Sequence, residues 1–171
     1  AGRILQETTA GPNERFDVFL SHSSSEPEEI LFGIKGFLED AGLSVYVDKY
    51  SDPQLLPDDV TPATAEILRR RMRLSSVLLY VHSRHSKKSR WMPWELGFFD
   101  GLKGAVGIFP VAQHQEDSTF KGEEFLNLYP HVDVATVKGS EEQQLWINKT
   151  ASQYASLKGW TKGTAVIEDH R

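Results

Sequence analysis

The 171-residue chain is long enough for one domain with one core. With 24 acidic against 19 basic side chains and a net charge of −5, it lacks the basic excess usual in nucleic-acid binders. It has no cysteine, which excludes disulfides, thiolate zinc sites and a cysteine nucleophile, and no apolar run approaches the ~20 residues of a membrane span.

Residues 1–14 are polar, contain Gly11-Pro12-Asn13, and read as a flexible arm or cloning remnant before a domain over 15–160. Phe16-Asp17-Val18-Phe19-Leu20 is a short apolar run ending in Ser21-His22-Ser23-Ser24-Ser25, the pattern of a buried strand followed by a polar turn. Ser25 with Glu28 three residues on reads as a capping box. Ile30, Leu31, Ile34, Phe37 and Leu38 then predict an amphipathic helix that Gly42 ends. Leu43 to Val47 is a second strand, closed by Asp48. Tyr50 to Val60 reads as a long loop, and Thr61-Pro62 opens a second helix with Thr as cap and Pro at its first position. Arg69, Arg70, Arg71 and Arg73 crowd the end of that helix, either as a solvated cationic terminus or as a phosphate- or partner-binding patch.

Ser76 to Val81 is the most apolar strand and so the central one, and it leads into the polar turn His82 to Ser89. Pro93 is tolerable only in a first helical turn, so the next helix begins at about Arg90 to Met92 and closes near Gly101 or Gly104. On it Trp91 and Phe99 lie four residues either side of Glu95 and share its face. A carboxylate among indole rings resists charge, which makes Glu95 a candidate working group; the alternative is an amphipathic helix whose Glu faces water. Ala105 to Val111 is a fourth strand, His131 to Val137 an edge strand, and Glu141 to Lys158 a last helix with Leu145, Trp146, Ala151 and Tyr154 inward. The tail, 161–171, reads as loose.

Strands alternating with helices imply an α/β fold: an open, mostly parallel five-stranded sheet with helices on both faces. Ligands collect outside the carboxyl ends of such strands. One rim would then hold Ser21, His22 and Ser23 after the first strand, Asp48 after the second, Ser83 after the third, and Trp91, Trp94 and Glu95 at the helix start. The three histidines His22, His82 and His85 show no tight ligand spacing, so no metal is expected.

Phe16-Asp17-Val18-Phe19-Leu20-Ser21-His22 resembles the first box of the Toll/interleukin-1 receptor (TIR) domain. Leu43 to Asp48 resembles its second strand, Tyr50 to Val60 its BB loop, and Ser89 to Leu96 its motif of Trp, three residues, Glu and Leu. The similarity covers about residues 15–158. It implies a TIR/flavodoxin-like fold and, for bacterial members with that Trp and Glu, an enzyme that consumes NAD⁺ in antiphage defence. On that resemblance Glu95 is catalytic, Trp91 packs near the ligand, and Ser21, His22 and Ser23 line it, with Asp48 carried over less directly. The usual Gly-Asp of the BB loop is replaced by Pro57-Asp58-Asp59. The resemblance also implies self-association through TIR–TIR contacts; a downstream effector that senses the product is a further expectation, and the absence of cysteine fits a reducing compartment, so a cytoplasmic protein is expected.

One carboxylate suffices for this chemistry. Most glycosidases need a second carboxyl to protonate the leaving oxygen. Nicotinamide in NAD⁺ is a cationic pyridinium and leaves neutral without a proton. The remaining oxocarbenium-like ribose can be stabilised by one anion, Glu95, in a water-poor site. Trp91 and Trp94 can stack on the flat base, and the serine loop can hold diphosphate. NAD⁺ is then substrate, with no cofactor. Water as acceptor gives ADP-ribose; an adenine nitrogen or ribose hydroxyl of the same nucleotide gives a cyclic ADP-ribose. A non-catalytic TIR scaffold and a nucleoside deoxyribosyltransferase-like enzyme are the alternatives.

Overall fold

Within the strand Phe16–Ser21 (β1), Val18 and Leu20 are buried on one side and Phe19 on the other, so both faces of this strand are covered. The strand Ser75–His82 (β3) repeats the pattern, with Val77, Leu79 and Val81 on the first face and Leu78 and Tyr80 on the second. The computed structural model describes residues 9–52, 55, 61–111 and 123–170. Helices Glu28–Asp40 (α1) and Leu157–Lys162 (α5) pack on the first face through Leu31, Ile34, Leu38 and Leu157. Helices Pro62–Arg73 (α3) and Trp91–Lys103 (α4) cover the second through Leu68, Met72, Met92, Leu96 and Phe99.

The sheet is completed by Val45–Tyr46 (β2), Val106–Pro110 (β4), His131–Thr136 (β5), Gln143–Asn148 (β6), Gln153–Ser156 (β7) and Glu168–Asp169 (β8). Its order is β2-β1-β3-β4-β5-β6-β7-β8. The pairs from β2 to β5 are parallel and the remaining three are antiparallel. The α/β class, the parallel core and helices on both faces agree with the sequence reading. The number of strands does not: eight stand among the described residues where five were expected.

The difference lies after residue 140. The segment expected as a helix over 141–158 forms two strands, because Leu145 and Ile147 are buried alternately with half-exposed Trp146 between them. This period of two lets β6 cover the side of β5 that would otherwise be an open edge, with Val132 opposite Ile147 and Val134 opposite Leu145. The tail is also tied down: β8 pairs with β7, and the His170 ring stacks on Tyr154 at 4.1 Å. Gly107 sits where the sheet is crowded, since a Cβ there would lie 2.9 Å from Ile147 Cδ1 and 3.0 Å from Leu79 Cδ2.

Thr61 caps α3 by accepting the Thr64 N–H at 3.2 Å, with Pro62 at the first position, as expected. Gly104 ends α4 in the left-handed region at φ 65°, where glycine carries no Cβ penalty. The Ser25–Glu28 capping box does not form: Pro27 is the N-cap and makes no side-chain cap. The loop expected over 50–60 begins with one helical turn, Asp48–Ser51 (α2), while residues 53–54 and 56–60 lie outside the described residues. Part of the expected arm is laced onto this turn, with the Ala10 N–H donating to the Ser51 carbonyl at 2.8 Å.

Candidate active site

Parallel strands that end at one rim bring their terminal residues together. Ser21 is the last residue of β1, Asp48 follows β2 as the first residue of α2, and Glu95 lies in the second turn of α4. The Pro93 rule places the start of α4 correctly and so sets the direction of Glu95. Glu95 does not face water: it is 5% exposed. The Ser21 hydroxyl donates to Glu95 Oε2 at 2.5 Å. Burial pushes the Glu95 carboxyl up and the Asp48 charge adds to it, against the Ser21 hydrogen bond and the His22 charge, leaving it at about 7.

His22 stands beside this pair. Its Nδ1 faces the Ser23 carbonyl at 3.0 Å and its Nε2 faces Asp48 Oδ1 at 2.7 Å. Both ring nitrogens meet acceptors, so both donate, which is the imidazolium form. Burial acts to lower the His22 pKa, but the Asp48 bond and charge, the Ser23 carbonyl and Glu95 outweigh it and raise it. Burial acts to raise Asp48, yet His22 and the Lys49 backbone N–H hold it below the usual carboxylate range. The rim therefore carries a fixed Asp48–His22 ion pair next to a carboxyl poised to gain or lose a proton near neutrality.

The indoles of Trp91 and Trp94 meet edge to face at 5.1 Å, both half-buried. They line a cleft of about 830 Å³ between the starts of α3 and α4 that also takes in Ser24, Arg69, Lys88 and Arg90. The Arg69 guanidinium lies 5.4 Å from the centre of the Trp94 ring and 3.5 Å from Glu66. Glu95 is not in this lining; Trp91, one turn before it on α4, is the link between the two.

The eight residues singled out from the sequence are thus not in one contact set. Ser21, His22, Asp48 and Glu95 form one group, with Ser23 supplying a carbonyl. Trp91 and Trp94 form the wall of the neighbouring cleft. Ser83 belongs to neither group: it donates to the buried Glu26 at 2.6 Å while accepting the His85 N–H at 3.0 Å. Three contributors escaped the sequence reading. Lys88 and Arg90 flank the tryptophan motif, and that position was the available signal. Glu123 is buried and accepts from Tyr80 at 2.7 Å and Ser86 at 3.1 Å, with His82 at 3.4 Å, and no local pattern announces it.

Asp17, inside the first sequence box, faces away from this chemistry: it accepts from the Ser44 N–H at 2.8 Å and is paired to Lys162 at 2.7 Å. Among the described residues no group of three His, Asp or Glu side chains is placed to hold a metal ion. Among them, too, no helix is long and apolar enough to cross a membrane.

No protein-family model matches the chain. A Bacillus cereus (strain MSX-D12) protein named "Probable 3' cyclic ADP-D-ribose synthase ThsB'" is 43% identical over 148 residues, which are 86% of this chain and 76% of that protein. The chain belongs to the bacterial TIR family. A Cytobacillus dafuensis protein named "Putative cyclic ADP-D-ribose synthase TIR2" is 32% identical over 84 residues, 48% of this chain and 22% of that one. The TIR fold accounts for the parallel half of the sheet and for the rim on which Ser21, Asp48 and Glu95 converge.

Proposed function

We propose that this TIR protein is an NAD⁺-cleaving enzyme that releases nicotinamide and closes the remaining nucleotide into a cyclic ADP-ribose. The observation that carries the reading is the buried Glu95, held by Ser21 beside the Asp48–His22 pair. The names of the two relatives support the cyclic product.

In the reaction the bond from the ribose anomeric carbon to the pyridinium nitrogen breaks, and its electron pair goes to that nitrogen. Nicotinamide leaves neutral. The ribosyl centre becomes electron-poor, and the Glu95 carboxylate stabilises it across a short, dry distance. A hydroxyl of the adenosine ribose attacks the anomeric carbon, and its proton passes to Glu95. A carboxyl balanced near 7 suits both duties, since it is anionic before the attack and basic enough to accept the proton. Water in place of that hydroxyl gives linear ADP-ribose.

The cleft next to Glu95 supplies the anchorage. Its volume is that of an ordinary small-molecule site. Trp91 and Trp94 offer faces for a flat base, and Arg69, Lys88 and Arg90 offer charge to the diphosphate. In this reading His22, Ser23 and Asp48 shape the ribose end, and Ser83 braces the loop through Glu26. The product acts as a signal in antiphage defence, read by a separate effector, and activity rises with self-association.

The test is to incubate the concentrated protein with NAD⁺ and identify products by chromatography and mass. The expected result is nicotinamide together with a product one water lighter than ADP-ribose, both absent with a folded Glu95→Gln variant. Turnover by Glu95→Gln equal to that of the unaltered protein would overturn the assignment.

A further inference from the structure

A helix of one turn has no stability of its own, because nucleation fixes several residues for a single hydrogen bond. Yet α2, only Asp48–Ser51, must hold Asp48 in place against His22. The structure shows what holds it. Arg71, on the far turn of α3, is 1% exposed although it is an arginine near a helix end. Its Nε donates to Asp52 Oδ2 at 2.7 Å and its Nη2 to Asp52 Oδ1 at 2.9 Å, a two-point grip on one carboxylate. Asp52 ends α2, and its N–H donates to the Asp48 carbonyl at 2.9 Å. Tyr46 closes the far side, donating to Asp52 Oδ2 at 2.8 Å while its ring lies 5.5 Å from the guanidinium.

The remaining donors of Arg71 reach the segment before β1. Nη1 donates to the Gly11 carbonyl at 2.6 Å and Nη2 to the Ala10 carbonyl at 3.1 Å. The Ala10 N–H in turn donates to the Ser51 carbonyl. The segment is therefore a strap tied both to Arg71 and to the turn that carries Asp48. A buried arginine whose only task was stability would be a costly choice, since an apolar side chain could fill the space.

We propose that Arg71 is a positioning residue for the active site: it locks α2 through Asp52 and the strap at Ala10 and Gly11, and so keeps Asp48 on His22. The charged groups that face His22 are Asp48 of α2 and Glu95 of α4; Lys49 of α2 points instead to Glu28 of α1 at 2.7 Å. Loosening α2 withdraws the Asp48 anion and discharges His22, so the pair of opposite charges that flanks Glu95 is lost and the ribose end of the site is no longer held in place. The kinetic part of this inference rests on the reading of Glu95 as the catalytic group; the histidine titration does not.

The experiment compares the full chain with Arg71→Lys, Arg71→Met, a deletion of residues 1–11, and Leu68→Ala. Leu68→Ala is a buried change on the same helix that touches neither tie. The readouts are the His22 titration by NMR, the melting temperature, and kcat and KM for NAD⁺. In Arg71→Met the His22 midpoint is expected to fall by about one pH unit or more and kcat by about tenfold or more, with KM changed less than about threefold. Arg71→Lys, which keeps the charge but not the fork, and the deletion fall between that variant and the unaltered protein. Leu68→Ala lowers the melting temperature and leaves the His22 midpoint in place. If Arg71→Met does not fold, the Lys variant and the deletion carry the test. Unchanged His22 midpoints in those two would overturn the proposal and leave Arg71 a structural residue. A shifted His22 midpoint in a protein that never cleaves NAD⁺ would support the positioning role and defeat the proposed reaction.

Discussion

The Ser21 hydroxyl donates to Glu95 at 2.5 Å across 74 positions of sequence, joining the end of β1 to the second turn of α4. It is a hydrogen bond from a neutral donor to a buried carboxyl, and it opposes what burial does to Glu95. The bond therefore sets how much of the carboxylate is present at neutral pH, which the proposed chemistry requires in ionised form.

The rate of NAD⁺ cleavage is accordingly expected to rise with pH through an apparent midpoint of about 7. Ser21→Ala removes a bond that favours the ionised form, so the midpoint moves up and activity near neutrality drops. A pH profile of kcat/KM for both proteins, which reports the free enzyme, checks this. A midpoint that stays in the ordinary carboxylate range would contradict the role given to Glu95.

The same burial carries a stability cost whose sign follows from linkage. The folded-state pKa of Glu95 is raised from 4.5 to about 7, so the folded protein binds the proton more tightly than the unfolded chain. The stability this contributes is fully present below about 4.5 and is lost as pH rises through about 7. Glu95→Gln, neutral at every pH, is expected to be more stable than the unaltered protein at pH about 8 by roughly 3 kcal/mol, a gain that vanishes near pH about 4. Urea unfolding of both proteins at the two pH values measures the difference. An inactive variant that is more stable is the behaviour of a working group, not of a packing residue.

The cleft makes a separate prediction. Arg69→Ala with Lys88→Ala is expected to raise KM for NAD⁺ by about tenfold with kcat within about twofold, since the charges bind the diphosphate before and during the reaction alike. The loss shrinks at high salt, because both side chains stand at the solvent boundary. Steady-state kinetics at two salt concentrations checks it. A fall in kcat at constant KM would place these cations at the reacting centre instead.

Much of the site was legible because its signals are local. Pro93 fixed the start of α4, and the spacing from Trp91 to Glu95 to Phe99 put an acid on an aromatic face. Thr61-Pro62 marked α3 by the same kind of rule. The polar residues directly after apolar runs, Ser21 and Asp48, followed from where strands stop. Signals failed where a segment could satisfy two periods. Leu145, Trp146, Ala151 and Tyr154 suit a helix, but the unpaired side of β5 needed a partner, and pairing in sequence-distant register decided for strands.

Residue types and their short-range spacing determined by themselves that this is an α/β domain with covered parallel strands, a polar rim and one carboxylate in an aromatic setting. Only the tertiary structure decided the protonation and partners of those groups. Ser83 is taken up by Glu26, Arg71 turned from a solvated helix end into the buried grip on Asp52, and His22 became doubly hydrogen-bonded. The physical reason is that desolvation and charge act through space. What a carboxyl or an arginine does depends on atoms contributed by strands and helices far along the chain, and no spacing in the sequence carries that information.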